Sequence, residues 1–331
     1  MKAIVNARYG PPDILELKEV EKPSPKDGEV LVKVHAASVN AYDWHLLTAD
    51  IFLVRLMGGG MFKPKSTILG ADIAGTVEAV GGNATQFQPG DEVFGDISDC
   101  GNGGFAEYAR ASENRLAPKP ANLSFEEAAA VPMAAVTALQ GLRDEGKLQP
   151  GGKAAIQGAS GGVGTFALQL AKTLGAEVTA VCSTLKLDQA RSLGADHVID
   201  YTKEDFTQSG QQYDLILAVN GYHPISHYRR ALQPEGTCVV VGGSLLQLIQ
   251  AASNKPGVSR ATGQKVHVAS LVPSQKDLIF VKELLESGMV VPVIDGCYAL
   301  SNLAEAFRYF EKVHPQGKVA IGNWACSNSP K

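Results

Sequence analysis

A run of small residues between Gln157 and Gly164 is typical of a phosphate-binding loop. It reads Gln-Gly-Ala-Ser-Gly-Gly-Val-Gly, with a G-x-x-G-x-x-G spacing, and it lies between an apolar strand pattern and a helical one. Glycines let such a loop turn sharply and approach a pyrophosphate, while the N–H groups of the following helix face the anion. A glycine-rich turn without a ligand is the alternative. We predict dinucleotide contacts at Gly158, Ala159, Ser160, Gly161, Gly162, Val163 and Gly164.

The residues after the second strand of this region select the nucleotide. A site for NAD carries an acid about 20 residues past the glycines, where it accepts from the ribose 2′-OH. Here the strand ends at Cys182, and the first acid is Asp188, inside the next helix. Hydroxyls and a lysine suit a 2′-phosphate, although a lysine here could also point into solvent. The sequence therefore predicts NADP(H), bound by Ser183, Thr184, Lys186 and Tyr201.

Histidines and cysteines offer little support for a metal site. The five cysteines include no CxxC pair, and zinc needs about four N, S or O ligands. His223 and His227 are spaced to share one helical face, but Pro224 is expected to start the helix after His223. The sequence shows no third ligand. We therefore expect no metal and interpret both residues as ordinary surface or core histidines.

The elements around these residues suggest two domains, as 331 residues would allow at roughly 150 each. The first third alternates apolar and polar side chains, as in Val30 to Ala36, and predicts a mostly antiparallel β domain. After Gly151 strands and helices alternate, which predicts a parallel sheet with right-handed crossovers. The fold class is therefore α/β, with a doubly wound parallel sheet plus a mostly antiparallel β domain.

Composition narrows the classes of partner. Hydrophobic residues make up 45%, charged residues 19%, and the net charge is −4, so neither disorder nor a basic surface for nucleic acid is indicated. The longest nearly apolar stretch, 128–139, is broken by Pro132 and is shorter than the about 20 residues of a membrane span. The N-terminal apolar run is too short for a signal peptide. We expect a cytoplasmic protein without an integral membrane segment.

Several further motifs follow one another along nearly the whole chain. They are Ala37-Ser38-Val39-Asn40-Ala41-Tyr42-Asp43-Trp44, 69–75, 103–108, 137–142, 192–201 and Gly317-Lys318-Val319. Together with the glycine loop they resemble the medium-chain dehydrogenase/reductase superfamily, specifically its zinc-free quinone oxidoreductase-like branch. The resemblance implies a GroES-like catalytic β domain at 1–124 and 273–331, a Rossmann domain at 125–272, and an active site between them.

The resemblance also indicates which chemistry is missing. In the zinc alcohol dehydrogenases of this superfamily, one catalytic ligand falls where this chain has the segment 40–43. Their Gly-His-Glu motif is replaced here by Gly70-Ala71-Asp72, and the four-cysteine lobe is absent. We therefore expect hydride transfer from NADPH, without zinc, to a quinone or an α,β-unsaturated carbonyl.

Residues for this reaction follow from the same motifs. Asn40 is expected to position the substrate carbonyl through its amide, and Tyr42 to donate a hydrogen bond or a proton. Asp43 is expected to cap the following helix. For Tyr42 the alternative is an ordinary packed aromatic. Further cofactor contacts are expected at Thr137, Asn220, Gly242 and Lys318. A substrate pocket rich in Met and Phe is expected from Trp44, Phe52, Met57, Met61 and Phe62, unless 52–57 is simply a buried helical turn.

Two classes of function remain open from the sequence, together with a weaker third. The first class is an NADPH-dependent reductase. The second is a nucleotide-binding protein with a structural or scaffold role and little turnover. A partner role at a membrane, as some relatives in the superfamily suggest, is the third. A homodimer is expected.

Overall fold

The computed structural model describes residues 1–50, 55, 60–243 and 262–322. The chain divides into two compact units, Met1–Val136 with Pro273–Lys331 and Thr137–Val272. The sequence placed the first boundary earlier, after residue 124. The helix that follows this position packs against the sheet of the first unit, where the Phe125 ring lies 4.4 Å from that of His35. For this reason the first unit extends to Val136.

The strands lie in the order that the sequence pattern indicates. Those of the first unit before the glycine loop are β1 (Lys2–Val5), β2 (Glu16–Glu19), β3 (Glu29–Val39), β4 (Asp72–Val80), β5 (Glu92–Asp96), β6 (Tyr108–Ser112) and β7 (Leu116–Pro118). Those of the second unit are β8 (Lys153–Gln157), β9 (Glu177–Cys182), β10 (His197–Asp200), β11 (Tyr213–Val219), β12 (Leu232–Val241) and β13 (Lys265–Val268). The first unit resumes with β14 (Ile294–Ala299) and β15 (Lys318–Gly322).

The helices separate these strands. They are α1 (Ala41–Thr48), α2 (Phe125–Ala129), α3 (Pro132–Leu139), α4 (Gly162–Thr173), α5 (Leu187–Ser192), α6 (Ile225–Ala231), α7 (Gln275–Glu286) and α8 (Leu303–Val313). Ser124 caps α2 in a reciprocal capping box with Glu127, as the sequence predicts. In unit two, short helices and the parallel pairing of neighbouring strands confirm the predicted strand–helix alternation.

Within the described residues, the first unit has a seven-stranded sheet of order β14-β15-β3-β4-β5-β7, with β6 also paired to β3. The pairs of β3 with β4, β6 and β15 are antiparallel, as are those of β5 with β4 and β7. Its core joins buried side chains of β3 and β15 to Phe105, Leu303 and Phe307. Because only the pair of β14 with β15 is parallel among the described strands of this sheet, the unit is the mostly antiparallel β domain that the sequence predicts.

The second unit has, within the described residues, a six-stranded parallel sheet of order β10-β9-β8-β11-β12-β13. Because the strands are parallel, the carboxyl ends of β8, β9, β11 and β12 lie at one edge of the sheet. The strand order runs outward from β8 in both directions, which places a ligand site at this edge. Its strands are nearly continuous buried apolar runs, as expected for a sheet covered on both faces. The mixed α/β class of the chain is therefore confirmed.

No helix of the described residues is long and apolar enough to cross a membrane.

Candidate functional site

Strand register brings together the polar residues of the first unit. Ser38 of β3 pairs with Ala320 of β15 on one side and with Asp72 of β4 on the other. Asp72 in turn pairs with Asp96 of β5. Asn40 follows the end of β3, and Lys318 opens β15. A cluster of buried polar side chains thus lies at one end of four neighbouring strands.

Asp72 is the acceptor at the centre of this cluster and is fully buried. Its Oδ2 accepts from Ser38 Oγ at 3.0 Å, from Asn40 Nδ2 at 2.9 Å and from Lys318 Nζ at 3.3 Å. Its Oδ1 accepts from the Met133 N–H at 2.9 Å. A buried carboxylate needs several donors and a cation to offset its lost hydration. The sequence drew attention to Asp72 only as the replacement for a zinc-ligand motif.

Lys318 donates to the Asn40 amide oxygen as well as to Asp72. Only 3% of its side chain is exposed, so the ammonium is enclosed in the first unit. The sequence placed Lys318 among the cofactor contacts. The structure instead places its charged group on Asn40, a residue 278 positions away in the chain.

The amide of Asn40 is therefore held from both ends. Its oxygen accepts from the ammonium of Lys318, and one of its two amide hydrogens is donated to Asp72. Among the described residues no acceptor is found for the second amide hydrogen. A cation on the oxygen polarises the amide and strengthens its remaining N–H as a donor.

Asp43 caps α1, as the sequence predicts. Its Oδ2 accepts from the Asn40 N–H at 3.0 Å, and its Oδ1 accepts from the Gly70 N–H at 3.1 Å. Burial raises the pKa of Asp43 to about 7, an effect that these two hydrogen bonds partly oppose. Asp43 thereby fixes the backbone on which Asn40 stands.

Tyr42 lies on the first turn of α1 and is half-buried. Its hydroxyl is 3.5 Å from the carbonyl oxygen of Ser98, which is a long contact, and it also interacts with the Asn102 side chain. A phenol is already protonated at neutral pH, and burial raises the pKa of Tyr42 further above its ordinary value. The side chain can therefore donate a hydrogen bond but is not a ready base.

The residues predicted for a substrate pocket differ in burial: one packs on the core of the first unit, and two are exposed. Trp44 packs against the core, with its ring 6.3 Å from that of Phe307. Met61 is 44% exposed and Phe62 is 95% exposed. Phe52 and Met57 lie outside the described residues. A pocket built from all five residues therefore remains a prediction.

In the second unit, the glycine loop follows β8 and opens α4, with Gly161 as the N-cap. Gly158 has a φ of +72°, and a Cβ there would lie 2.5 Å from the Val219 carbonyl oxygen. A Cβ on Gly164 would lie 2.1 Å from the carbonyl oxygen of Gly158. These two glycines are required by the fold of the loop itself.

Gly161 differs from the other two. A Cβ there would meet only the Gly158 carbonyl oxygen, at an ordinary 3.6 Å. Nothing in the described loop therefore requires glycine at this position. A bare backbone at a helix N-cap leaves room for a pyrophosphate against the N–H groups of the first turn. The glycine loop and the N-terminus of α4 therefore have the space and the N–H donors to hold the phosphates of a dinucleotide.

Other predicted cofactor residues lie at the same edge of this sheet. Asn220 follows β11 with a φ of +50°, and its N–H donates to the Val241 carbonyl oxygen at 2.8 Å. Gly242 follows β12 with a φ of +68°. Thr137, in contrast, lies on α3 and is 9% exposed. The edge thus presents three loops in a row, after β8, β11 and β12.

An acid that the sequence did not indicate lies beside the residues that follow β9. Asp200 ends the neighbouring strand β10, and its carboxylate accepts from the Thr184 hydroxyl and from Thr202. These hydrogen bonds lower the pKa of Asp200. The hydroxyl proton of Thr184 is therefore already used. Ser183 and Lys186 are half-buried and Tyr201 is 47% exposed.

The two histidines set aside by the sequence analysis have a third partner. The ligand atoms of Asp205, His223 and His227 all lie within 4.8 Å of one another. Among the residues that the structure describes, no other three His, Cys, Asp or Glu side chains are grouped in this way. The expectation that no third ligand exists is thus wrong. Asp205 is the third candidate, and the sequence did not indicate it because it lies in a separate turn before the two histidines.

A parallel sheet with a glycine loop, in a chain that also has an antiparallel β unit, is typical of nicotinamide-dependent dehydrogenases and reductases. Family models agree with this class. The model for the alcohol dehydrogenase GroES-like domain matches residues 26–121, and the model for the zinc-binding dehydrogenase matches residues 193–321.

Individual proteins are also similar along most of the chain. A 2-methylene-furan-3-one reductase of Solanum lycopersicum is 37% identical over 97% of this chain and 79% of its own length. An NADPH-dependent alkenal/one oxidoreductase of Arabidopsis thaliana is 33% identical over 97% of this chain and 79% of its own length. The quinone oxidoreductase from Coxiella burnetii superposes with a TM-score of 0.87, at 28% identity over 97% of this chain and 99% of that one.

The chain therefore belongs to the medium-chain dehydrogenase/reductase superfamily, in its quinone reductase-like branch. It is an oxidoreductase that uses a nicotinamide cofactor.

Proposed function

We propose that this protein is an NADPH-dependent reductase that transfers hydride to a quinone or an α,β-unsaturated carbonyl without a catalytic zinc ion. The observation that carries the proposal is the Asn40 amide, held between a buried ammonium and a buried carboxylate. Similar proteins, among them a 2-methylene-furan-3-one reductase, an alkenal/one oxidoreductase and a quinone oxidoreductase, support the same reaction class.

The amide of Asn40 is the group that would bind the substrate carbonyl. Hydride addition to a conjugated carbonyl moves negative charge onto its oxygen, and a preorganised donor stabilises that charge. The N–H of Asn40 that does not bond to Asp72 is such a donor. Lys318 strengthens it through the amide oxygen, and Asp72 keeps the amide from rotating. Lys318 and Asp72 are thus positioning residues.

Tyr42 is the second group proposed for the substrate oxygen. Its phenol is protonated at neutral pH, since a tyrosine has an ordinary pKa of about 10 and burial raises the pKa of Tyr42 further. A substrate oxygen would replace its long contact to Ser98. Tyr42 lies two residues after Asn40, on the first turn of α1. In this scheme Asn40 orients the carbonyl and Tyr42 donates a hydrogen bond or a proton to it.

Metal chemistry is not part of the proposal. The carboxylate of Asp72, where the zinc-dependent members have a ligand motif, is occupied by Ser38, Asn40, Met133 and Lys318. A lysine that donates to this carboxylate would compete with a cation for it. The proposed substrate activation therefore uses hydrogen bonds alone.

The cofactor is proposed to be NADP(H), which supplies the hydride. The glycine loop would hold the pyrophosphate, and Ser183 and Lys186 would hold the 2′-phosphate. Thr184 contributes less than the sequence suggested, because its hydroxyl donates to Asp200. Ser183 and Lys186 are thus the main residues that would select NADPH over NADH.

The test is steady-state oxidation of NADPH with 9,10-phenanthrenequinone and with a long-chain enal, before and after treatment with a chelator. We expect turnover with both substrates and no loss on chelation. NADPH binding without turnover of these or other quinones would favour the nucleotide-binding scaffold protein instead. Activity that disappears with the chelator and returns with zinc, in protein that stays folded and binds NADPH throughout, would contradict the metal-free reaction.

Variants then test the site. Asn40→Ala and Tyr42→Phe should each lower kcat/KM for the enal by roughly 10- to 1,000-fold while NADPH affinity stays within a few-fold. Tyr108→Phe, on β6 of the same unit, is the matched control and should be unimpaired. An active parent with unimpaired Asn40 and Tyr42 variants would leave the reaction in place but refute this site.

The homodimer, the cytoplasmic location and the assignment of catalytic and cofactor-binding roles to the two units remain predictions from the sequence.

A further inference from the structure

Two histidines four residues apart and an aspartate 18 residues before them converge in the second unit. Asp205 precedes a 3-10 turn at Phe206–Gln208, His223 stands before Pro224, and His227 lies in the first turn of α6. His223 Nε2 is 3.7 Å from Asp205 Oδ1, and His227 Nδ1 is 3.9 Å from Asp205 Oδ2. Two imidazole nitrogens therefore face the two oxygens of one carboxylate.

These separations do not suit direct hydrogen bonds, which need about 2.7–3.2 Å between nitrogen and oxygen. They do suit a shared ion. At metal–ligand bonds of about 2.1 Å, two ligands of one ion lie roughly 3–4 Å apart. In addition, Nδ1 of His227 is buried and has no hydrogen-bond partner among the described residues.

The ring of His223 is held in place from several sides. It lies 4.4 Å from the Tyr222 ring, and it meets the rings of Phe206 and Tyr228 edge-on at 5.5 and 5.7 Å. This packing limits rotation of the imidazole. Its orientation is therefore set before any ligand arrives.

The carboxylate of Asp205 is also preorganised. Its Oδ1 accepts from the N–H and the hydroxyl of Thr207, at 2.9 and 2.7 Å, and its Oδ2 accepts from Gln208 Nε2 at 2.7 Å. Hydrogen bonds of this kind orient a carboxylate that binds a metal. They also keep the group ionised, as a ligand must be.

We propose that Asp205, His223 and His227 bind one divalent transition-metal ion, with water at the remaining positions. Two imidazoles and a carboxylate are a donor set for Zn²⁺, Co²⁺ or Ni²⁺ rather than for Mg²⁺ or Ca²⁺. The ion would tie the turn after β10 to the start of α6, so its role is to stabilise this part of the nucleotide-binding unit. It takes no part in the reduction proposed above.

The experiment uses the full chain after removal of metals with a chelator. Titration with Co²⁺, followed by its visible absorption, and with Zn²⁺, followed by calorimetry, should show one ion per chain. Zn²⁺ should also raise the midpoint of thermal unfolding. Absence of binding by the parent protein would overturn the proposal.

Two substitutions identify the ligands. Asp205→Asn keeps an oxygen that can cap the turn, and His227→Gln changes a partly exposed side chain, so both should fold. Each should weaken binding by more than about 10-fold, since loss of an outer-shell contact alone costs 10- to 100-fold.

His197→Gln is the matched control. His197 Nε2 lies 3.1 Å from Glu177 Oε1, but this pair has no third ligand among the described residues. Binding by this variant should equal that of the parent. Equal binding by Asp205→Asn and His227→Gln as well, in folded protein, would place the ion elsewhere and overturn the proposal.

Discussion

Individual side chains in this protein take their chemistry from their neighbours. Asn40 is an ordinary amide until Lys318 bonds to its oxygen and Asp72 accepts from its nitrogen. The pair of charges is buried, so its electrostatic effect is little screened by solvent. This arrangement gives an uncharged residue the donor strength that the proposed reaction needs.

Lys318→Met tests how much the buried pair matters. The change leaves Asp72 enclosed without its cation, which typically costs about 3–5 kcal/mol of unfolding free energy. Urea unfolding of the two proteins measures this difference. The double variant Lys318→Met/Asp72→Asn should recover part of the loss because it removes the uncompensated charge.

Lys18→Met is the control for that experiment, since Lys18 pairs with Glu16 at the surface, at 2.7 Å. Exposed pairs contribute little, so this variant should unfold almost as the parent does. A Lys318→Met protein as stable as Lys18→Met would show that the ammonium of Lys318 is not required by Asp72.

Cofactor preference is also decided by single residues. Lys186→Ala should reduce the preference for NADPH over NADH, because a charge-assisted contact to the 2′-phosphate contributes roughly 1.5–3 kcal/mol. Fluorescence titration of each nucleotide provides the dissociation constants. If the parent protein binds NADH as tightly as NADPH, the assignment of Ser183 and Lys186 fails.

At the scale of elements, the glycine loop combines two kinds of glycine. Gly158 and Gly164 are needed because backbone atoms of Val219 and of Gly158, respectively, occupy the space of their missing Cβ atoms. Gly161 is not crowded within the loop. The same motif therefore contains positions that serve folding and a position that would serve the ligand.

Two alanine substitutions separate these roles. Gly164→Ala should destabilise the protein by about 1–3 kcal/mol, since the new Cβ would overlap the Gly158 carbonyl oxygen. Gly161→Ala should leave stability nearly unchanged but weaken NADPH binding, because its methyl group would occupy the place of the pyrophosphate. Thermal unfolding and nucleotide titration of both variants measure the two effects. A Gly161→Ala protein with parental affinity would argue against the phosphate position.

At the scale of the whole molecule, buried acids couple folding to pH. Burial raises the pKa of both Asp43 and Asp96 to about 7, and the nearby Asp72 carboxylate adds to the effect. In the unfolded chain an aspartate has a pKa of about 3.9. The folded protein therefore binds more protons than the unfolded chain between these values, and these two groups make stability fall as pH rises through this window.

Asp96→Asn tests this coupling. The amide oxygen can still accept from the Ser98 N–H, as the carboxylate does at 2.9 Å, but it does not titrate. Urea unfolding at several pH values from 5 to 8 should show a flatter dependence in the variant than in the parent. His35 and His223, whose pKa values burial lowers, titrate in both proteins and cancel in the comparison. Equal slopes would mean that Asp96 is already ionised in the folded protein at pH 5.

The sequence by itself determined the features that depend on neighbouring residues. Short apolar runs mark where strands β8 and β9 begin and end. The capping box of α2 consists of reciprocal hydrogen bonds between Ser124 and Glu127, which are three residues apart. The glycine loop is likewise a local motif, since its turns and the start of α4 are built from consecutive residues. Such features need no knowledge of the rest of the chain.

Only the tertiary structure decided which distant residues meet. Lys318 reaches Asn40 through the pairing of β15 with β3, Asp200 reaches Thr184 through the pairing of β10 with β9, and Asp205 joins two histidines through a turn that packs on α6. Strand register and crossover packing set these contacts, and they depend on how the whole sheet buries its side chains. No spacing along the chain encodes that arrangement, because the partners are joined by long segments whose path only the folded core defines.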